Sequence, residues 1–430
     1  MTNPARVMIT GMGTLCASGM NGDAILDSIL EGTSSIKAIN TWETNTWPCR
    51  TGGMIKARLL DLLNDRKLLK LIKASDVYGI YAAEKALESA NISAFRSSLQ
   101  AQQAEAFADQ FAIFVGTSGG GYKTHYDFFE LIEESEGSLK GFGKRLQESV
   151  NPMWLLRNLP NNVLCHVGIR NHLKGANGCI TDHSTSGSLA LIEAFEALRM
   201  GDADRAVAVG HDAPVEPQTL LYYQTIGLLA PEQLLSFDRH RQGSILGDGA
   251  AALVLETERA ADERGALIQG EILGKGMCCE ATGLLPIRPD GDGLVRAIRL
   301  AMQQANLGPE QIGMVVCHGN GTTASDLSEG LALRSIFGAN CPPITSFKWA
   351  FGHLIAASGS IDAVLCLLAL QRGVVPGIGC LNELEPALTD LPFAIGHQEP
   401  RNNIGIVLCR GFGGRNTAII IKASDQAQSK

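Results

Sequence analysis

The amino-acid sequence predicts a layered α/β fold with parallel sheets. Segments typical of strands alternate with segments typical of helices along the chain, and this order is the usual sign of layered α/β proteins. The composition agrees, because 45% of the 430 residues are hydrophobic, only 19% are charged and 48 are glycines. Such a chain buries a large core and turns often.

The predicted elements follow one another in a regular order. Short β-branched and apolar runs predict the strands, and apolar residues at helical spacing predict the helices. The predicted strands are Val7–Thr10, Phe111–Val115, Ala206–Val209, Ala251–Glu256, Leu267–Gly274, Met314–Cys317, Gly405–Val407 and Thr417–Ile421. The predicted helices are Asp23–Glu31, Asp76–Ala90, Leu191–Leu198, Leu294–Gln304, Leu327–Ile336 and Ile361–Gln371.

Two glycine-punctuated strands indicate an internal duplication. Residues 9–13 read Ile-Thr-Gly-Met-Gly, and residues 272–276 read Ile-Leu-Gly-Lys-Gly. The seam is predicted near residues 257–267, so that the N-terminal half is 1–262 and the C-terminal half is 263–430.

Two further segments differ from this pattern. The stretch at about 120–165 mixes aromatic and acidic residues and is predicted to be an insertion over the core or at a subunit contact. The tail 423–430 is predicted to fray, as chain ends commonly do.

Charge and cysteine content argue against several classes of protein. The net charge is −8 and no long basic block offsets it, which argues against general nucleic-acid binding. We see neither a bilayer-spanning stretch nor a signal peptide before the strand-like start, and we therefore expect a cytoplasmic protein. The eleven cysteines are scattered, with only Cys278 and Cys279 adjacent. That pattern favours free thiols over a disulfide frame or a zinc site.

The run of residues 178–187 carries the strongest chemical signal. A β-branched stretch breaks into small polar residues, and a helix follows that ends at Gly201. A strand, a tight turn and a helix N-terminus form the usual mount for a nucleophile, because the free N–H groups of the first helical turn favour negative charge. Ser184 is therefore a candidate catalytic residue, although serine at a helix start is more often a cap.

Three other stretches carry chemistry. Residues 316–326 deliver His318 from a strand into a glycine turn, and residues 346–353 contain Lys348 and His353. Residues 409–416 form a glycine-rich turn between two apolar strands. Alone, each has an ordinary explanation, as a hydrogen-bonded structural histidine or as a common turn. Together with Ser184 they predict a single site.

Taken together, these stretches resemble the β-ketoacyl-acyl carrier protein synthase (ketosynthase) family of the thiolase-like fold. The resemblance implies a five-layer α/β/α/β/α sandwich made of two duplicated halves, and a dimer paired through the strand at about Cys179–Asp182. It implies no bound cofactor or metal, because the substrate is carried on the phosphopantetheine of an acyl carrier protein. It covers nearly the whole chain, through residues 6–13, 236–243, 246–249, His318, Lys348, His353 and 411–414.

The resemblance also implies the roles of single residues. In the family a cysteine stands seventeen residues before the Gly-Asp-Ala-Asp that begins at Gly201, and here that position is Ser184. Asp182 and His183 are further departures from the family pattern. The resemblance implies that His318 and His353 stabilise the enolate, with Lys348 in the same site and Glu329 and Asp326 in support. It implies an oxyanion hole formed by the N–H groups of Ser184 and Phe412, with Gly411 and Gly413 in the gating loop. It implies that Asn320 and Thr322 bind the pantetheine arm.

Loss of the thiol separates two reactions of the family. Condensation needs a nucleophile, and a serine hydroxyl is far weaker than a thiol unless a base takes its proton. Decarboxylation of a malonyl thioester needs only donors aimed at the enolate oxygen. The leading hypothesis is therefore malonyl-carrier decarboxylation with little or no condensation, as in related serine- or glutamine-bearing ketosynthases that make an acetyl starter.

Three alternatives stay open. The first is a chain-length-factor subunit of a type II ketosynthase heterodimer, and the retained histidines and lysine count against it. The second is a serine-dependent acyltransferase or condensing enzyme with His318 or His183 as base. His183 is expected to be a poor base for Ser184, because neighbours on an extended strand point to opposite faces. The third is a cysteine-to-serine replacement introduced into the protein.

Charged residues bear on substrate and partner. Arg410 stands where the family usually has an aromatic residue, and it either disfavours a long acyl chain and receives a carboxylate, or pairs with a neighbouring subunit. Acyl carrier proteins are acidic, so a basic run predicts their docking patch, with an ordinary solvated helix face as the alternative. The partner subunit is a second copy or another ketosynthase. The predicted patch is Arg66, Lys67, Lys70 and Lys73.

Overall fold

The computed structural model of the protein describes residues 5–119 and 123–424. Within them, the strands are β1 Val7–Cys16, β2 Lys37–Ala38, β3 Thr51–Gly52, β4 Phe111–Thr117, β5 Asn177–Ile180, β6 Arg205–Asp212, β7 Gly249–Thr257, β8 Gly270–Cys279, β9 Met314–Val316, β10 Ile344–Thr345, β11 Ile404–Gly411 and β12 Arg415–Ala423. The helices are α1 Gly22–Leu30, α2 Leu59–Leu62, α3 Ala74–Ser89, α4 Ile92–Ser97, α5 Ala101–Asp109, α6 Phe129–Glu134, α7 Leu139–Ser149, α8 Trp154–Arg157, α9 Asn162–Asn171, α10 Ser186–Met200, α11 Pro217–Thr225, α12 Glu258–Glu263, α13 Asp292–Ala305, α14 Thr323–Phe337, α15 Lys348–Phe351 and α16 Ser358–Gln371.

The main sheet repeats one topology twice. The first half has the strand order β5-β4-β6-β7-β1, and the second half has the matching order β10-β9-β11-β12-β8. In each half the first three strands pair in parallel and the last two pairings are antiparallel, so one strand, β7 or β12, runs opposite to the other four. The expectation of parallel sheets is therefore wrong for one strand of each half. A tight turn joins β11 to β12, and such a short link permits only antiparallel pairing.

The layers confirm the predicted sandwich. Helices α10 and α16 pack against each other in the centre, with α10 on β4 and β6 and α16 on β11 and β12. Helix α3 covers the other face of the first half, and α13 packs on β8 and β12 of the second half. The order is therefore α/β/α/β/α. Strands β1 and β8 also pair over three residues, which joins the two halves into one ten-stranded sheet.

The glycine pairs seen in the sequence let a helix approach its strand closely. A Cβ on Gly13 of β1 would collide with the backbone of α3 at Ala82 and Ala86. A Cβ on Gly276 of β8 would collide in the same way with α13 at Ala297. The matching contacts in both halves explain why the same glycine spacing recurs about 260 residues apart.

Several predicted boundaries shift. The strand expected at Leu267–Gly274 is β8, and the insertion expected at about 120–165 contains helices α6 to α8. Residues 120–122 of that insertion and 425–430 of the tail lie outside the described residues. The predicted boundary at 262/263 falls at the end of α12, before β8, and stays a proposal. Over residues 5–119 and 123–424, none of the helices has both the length and the hydropathy to cross a bilayer.

Replacement of Gly13 by alanine tests the close approach of β1 and α3. The added methyl group would overlap backbone atoms of α3, which cannot move aside as a flexible side chain could. We therefore expect Gly13→Ala to destabilise the protein by about 1–3 kcal/mol. Gly396→Ala is the matched control, because nothing lies within 4 Å of its Cβ position. Thermal unfolding compares the two. Equal midpoints for both variants would contradict the packing described for Gly13.

Candidate active site

The expected elbow is present. Strand β5 leads into a single 3₁₀ turn, His183–Thr185, and α10 begins at Ser186. Ser184 is buried at the foot of this helix. Asp182 braces the turn, because its Oδ2 accepts hydrogen bonds from Thr185 Oγ1 at 2.9 Å and from Arg415 Nε at 2.8 Å. The elbow is thereby tied to strand β12 of the second half.

His183 does not point away from Ser184, and the expectation that it does is wrong. His183 has φ 55°, in the left-handed region, so residues 183 and 184 are not successive positions of an extended strand. Its Nδ1 lies 3.0 Å from Ser184 Oγ. The hydroxyl of Tyr223, on α11, contacts the other ring nitrogen. The Phe412 ring stacks on the imidazole at 4.3 Å between centroids.

Strand β9 and helix α14 place His318. The backbone N–H groups of His318 and Gly319 donate to the two carboxylate oxygens of Glu329, at 2.7 and 3.0 Å. Asp326 similarly accepts from the N–H groups of Phe237 at 2.8 Å and Gly321 at 3.2 Å. Burial raises the pKa of both carboxyl groups, that of Asp326 to about 7. The two predicted supporting residues therefore hold the backbone of the histidine loop.

Lys348 and His353 lie on and just after α15. Lys348 Nζ donates to Asp362 Oδ2 at 2.7 Å, and both side chains are fully buried. The backbone N–H of His353 donates to the carbonyl of Ile245 at 2.7 Å, which fixes the histidine against the first half. Sequence reasoning missed Asp362, because an acidic residue inside an apolar helix shows no sign of its distant partner.

The two histidines meet at right angles. Their ring centroids lie 5.1 Å apart with an interplanar angle of 89°. Burial, followed by the positive charge of Lys348, holds the pKa of both imidazoles well below the ordinary value, so both are neutral near pH 7. Nδ1 of His318 and Nε2 of His353 are buried without a hydrogen-bond partner in the described structure. Each neutral ring retains one N–H that can be donated to a substrate.

One pocket collects most of the predicted site residues. It encloses about 670 Å³ of empty space, including some open to solvent. Lys348, Glu329, Asp326 and Gly413 do not line it; the first three lie behind the wall that His318 and His353 form. Asn320 and Thr322 do line it, and Asn320 Oδ1 accepts the Thr322 hydroxyl at 2.9 Å. The other predicted residues on the wall are Ser184, His318, His353, Gly411 and Phe412.

Arg410 is buried, and its Nη2 donates to Glu280 of the same chain at 2.7 Å. It also lines the pocket. Arg410 is therefore already paired within the chain, and its expected role toward an acyl chain, a carboxylate or a neighbouring subunit stays a prediction. Glu280 also accepts the Asn416 side-chain amide at 3.1 Å, so this ion pair braces the turn that carries Phe412. Sequence reasoning missed both Glu280 and Tyr223, since neither stands within a recognisable motif.

The predicted carrier-protein patch lies at the surface. Arg66, Lys67 and Lys70 are exposed around a short 3₁₀ turn, and Lys73 is half-buried at the start of α3. None of the four lines the pocket. The patch therefore stays a prediction about docking.

Known proteins match this chain over most of its length. The family model "Beta-ketoacyl synthase, N-terminal domain" matches residues 5–261, and "Beta-ketoacyl synthase, C-terminal domain" matches residues 269–381. The chain is 27% identical to the 3-oxoacyl-[acyl-carrier-protein] synthase 2 of Staphylococcus aureus, over 98% of this chain and 99% of that protein. It is 30% identical to Nodulation protein E of a Rhizobium species, over 89% and 90%. The solved structure of the ishigamide ketosynthase/chain length factor superposes with a TM-score of 0.85 at 24% identity, over 98% and 100%.

Neutrality of the buried imidazoles can be measured by titration. We expect the ring signals of His318 and His353 to stay unchanged from pH 8 down to about 5.5, because burial and Lys348 hold both pKa values well below the ordinary 6.5. Burial lowers the pKa of His183 to about 4, so its ring signals should also stay unchanged over this range. Histidine-selective NMR follows the rings, and the protein unfolded in urea provides the control. A midpoint near pH 6.5 for any of the three would refute this electrostatic description.

Proposed function

Since the chain belongs to the β-ketoacyl synthase family, we propose that it decarboxylates malonyl groups carried by an acyl carrier protein, with little or no condensation. The chain is a ketosynthase-like protein of fatty acid or polyketide biosynthesis. The name of the Staphylococcus relative includes the acyl carrier protein, which supports a substrate presented on that partner's phosphopantetheine arm. The proposal requires no cofactor bound to this chain.

The step itself needs donors and no nucleophile. The bond between the carboxylate and the α-carbon breaks, CO₂ leaves, and the electron pair becomes an enolate with its charge on the thioester oxygen. A proton from water then completes the acetyl group. Donors that meet the developing oxyanion accelerate such a step, and they act most strongly where water is excluded.

The imidazole pair is the observation that carries the proposal. His318 and His353 stand 5.1 Å apart on one pocket wall, both neutral, each with a buried ring nitrogen that lacks a partner in the described structure. Neutral rings donate without adding a charge that would hold the departing carboxylate. Burial keeps the rings unprotonated, and the charge of Lys348, paired with Asp362, adds to this effect.

A second candidate is a serine-dependent acyltransferase or condensing enzyme. The contact of 3.0 Å between His183 Nδ1 and Ser184 Oγ supports it, because nucleophile and base must lie within hydrogen-bond reach. Against it, burial lowers the pKa of His183 to about 4, which makes the imidazole a weak base for a hydroxyl.

Assembly and location extend the proposal. Strand β5 forms one edge of the main sheet and supports pairing with a second copy or with another ketosynthase subunit at about Cys179–Asp182. As a chain-length-factor subunit the protein would not need the buried histidines and Lys348, which it retains. All eleven cysteines are free, and this supports the reducing compartment of the cytoplasm.

We also propose that Arg66, Lys67, Lys70 and Lys73 receive the acidic carrier protein. Three of the four side chains are exposed on one short stretch. A cluster of positive charges on an acidic protein raises the rate of encounter with an acidic partner.

Alanine variants separate the imidazoles from the hydroxyl. We expect His353→Ala to lower CO₂ release from malonyl-carrier protein by about 10²–10³-fold, the usual loss of one oxyanion donor. Ser184→Ala should retain activity within about threefold, because the enolate needs no nucleophile. His240→Ala, at an exposed histidine, is the matched control. Intact-protein mass spectrometry follows malonyl-carrier to acetyl-carrier conversion and any adduct on Ser184.

The reverse ranking of these variants would refute the proposal. A covalent acyl adduct on Ser184 would instead favour the acyltransferase. No conversion without an added ketosynthase would favour the chain-length factor.

Charge reversal tests the carrier-protein patch. We expect Lys70→Glu to raise the KM for malonyl-carrier protein roughly threefold to tenfold at low salt, because a rim charge mainly changes the association rate. The effect should fade at about 0.5 M salt through screening. Lys37→Glu, at an exposed lysine outside the patch, is the control. A malonyl thioester of free pantetheine should be turned over equally by both variants, and a defect there would contradict a docking role for Lys70.

A further inference from the structure

Tyr223, His183 and Ser184 form one hydrogen-bonded chain at the elbow. We propose that this chain holds the Ser184 oxygen as a hydrogen-bond acceptor and leaves the hydroxyl proton free to be donated into the pocket. His183 is then a positioning residue and not the base of a nucleophilic serine. The inference rests on the proposed function and deepens it, since it explains how Ser184 stays unreactive beside the two imidazoles.

The contacts determine which ring nitrogen faces which partner. Nδ1 of His183 lies 3.0 Å from Ser184 Oγ, and Nε2 contacts the Tyr223 hydroxyl. The Phe412 ring stacks on the imidazole at 4.3 Å with an interplanar angle of 28°, and the Tyr223 ring lies 5.8 Å from it. The Phe412 stack and the two contacts of the ring nitrogens limit rotation of the imidazole, so each nitrogen keeps its partner.

The chemistry of the partners decides where the ring proton resides. A neutral imidazole carries one N–H, and its position follows from the hydrogen bond that the other nitrogen makes. A phenol is a stronger donor and a weaker acceptor than an alcohol, because its oxygen lone pair is delocalised and its pKa is about 10. The favoured arrangement is therefore Tyr223 O–H donating to Nε2 and Nδ1–H donating to Ser184 Oγ.

This arrangement prevents attack by Ser184. An attack would form a bond from Oγ to the acyl carbon, expel the thiolate of the carrier arm, and pass the hydroxyl proton to Nδ1. With a proton already on Nδ1, that nitrogen has no free lone pair. The hydroxyl proton can then be donated into the pocket, whose wall also includes His318 and His353.

A serine-directed electrophile distinguishes the two possible directions of hydrogen bonding along Tyr223, His183 and Ser184. An alkyl fluorophosphonate forms a P–O bond to serine and releases fluoride, so its labelling rate reports how readily Ser184 loses its proton. Tyr223→Phe keeps the ring and removes the hydroxyl that contacts Nε2, after which the proton can reside on Nε2 and Nδ1 can act as a base. We expect labelling of Ser184 to rise roughly threefold to tenfold, the range that one neutral hydrogen bond supports.

Two control variants show whether a change in the labelling rate comes from Tyr223 and occurs at Ser184. Tyr222→Phe is the matched control, because Tyr222 is exposed and accepts Gln218 Nε2 at 2.6 Å outside the pocket. Ser184→Ala identifies the labelled site. A labelling rate that falls or stays the same in Tyr223→Phe would mean that Tyr223 orients His183 as a base, and would overturn the inference.

The tautomer can also be observed directly in the unaltered protein. Long-range ¹H–¹⁵N NMR of the histidine rings, with the His183 signals assigned by their loss in His183→Asn, should show the proton on Nδ1. A proton on Nε2 would overturn the inference even if the variants fold poorly. Neither experiment uses a malonyl substrate, so failure of the proposed decarboxylation leaves both results interpretable.

Discussion

Exclusion of water from the two imidazoles is the constraint on which the site depends. His318 and His353 are almost fully buried and stand near the equally buried Lys348, so a proton on either ring would be costly. Lys348 in turn is tolerable only because Asp362 neutralises it at 2.7 Å. A buried ion pair of this kind adds little stability, but removal of one partner leaves an uncompensated charge. Burial first, and the charge of Lys348 second, keep the rings neutral, so each ring retains one N–H.

The elbow shows how one backbone angle changes the chemistry of neighbouring residues. His183 and Ser184 are adjacent in sequence, and on an extended strand their side chains would diverge. A positive φ at His183 brings its imidazole beside the serine oxygen instead. Such a conformation is uncommon for a residue other than glycine and costs free energy. The stack with Phe412 and the contact with Tyr223 offset that cost, so the gating turn and the elbow form one unit.

Local sequence patterns predicted much of the fold and the residues that lie near glycine turns. The repeated Gly-x-Gly strands, His318, Lys348 and His353 are recognisable because the signal and the residue share a few positions. Tyr223, Glu280 and Asp362 could not be found in this way, since each acts on a partner between 14 and 130 positions away. The partner of Arg410 is also remote in sequence, because Glu280 follows β8 whereas Arg410 lies on β11.

Both halves of the chain contribute residues to the pocket, and this explains how condensation can be lost while decarboxylation is kept. His183 and Ser184 come from the turn between β5 and α10, and Tyr223 comes from α11, all in the first half. His318, Lys348, His353 and Asp362 come from β9 to α16 in the second half. A change from thiol to hydroxyl alters only the elbow, which the second half does not need in order to place its donors. Substitution at Ser184 can therefore remove acyl transfer without moving the imidazoles, and this independence is what makes a decarboxylase that does not condense physically reasonable.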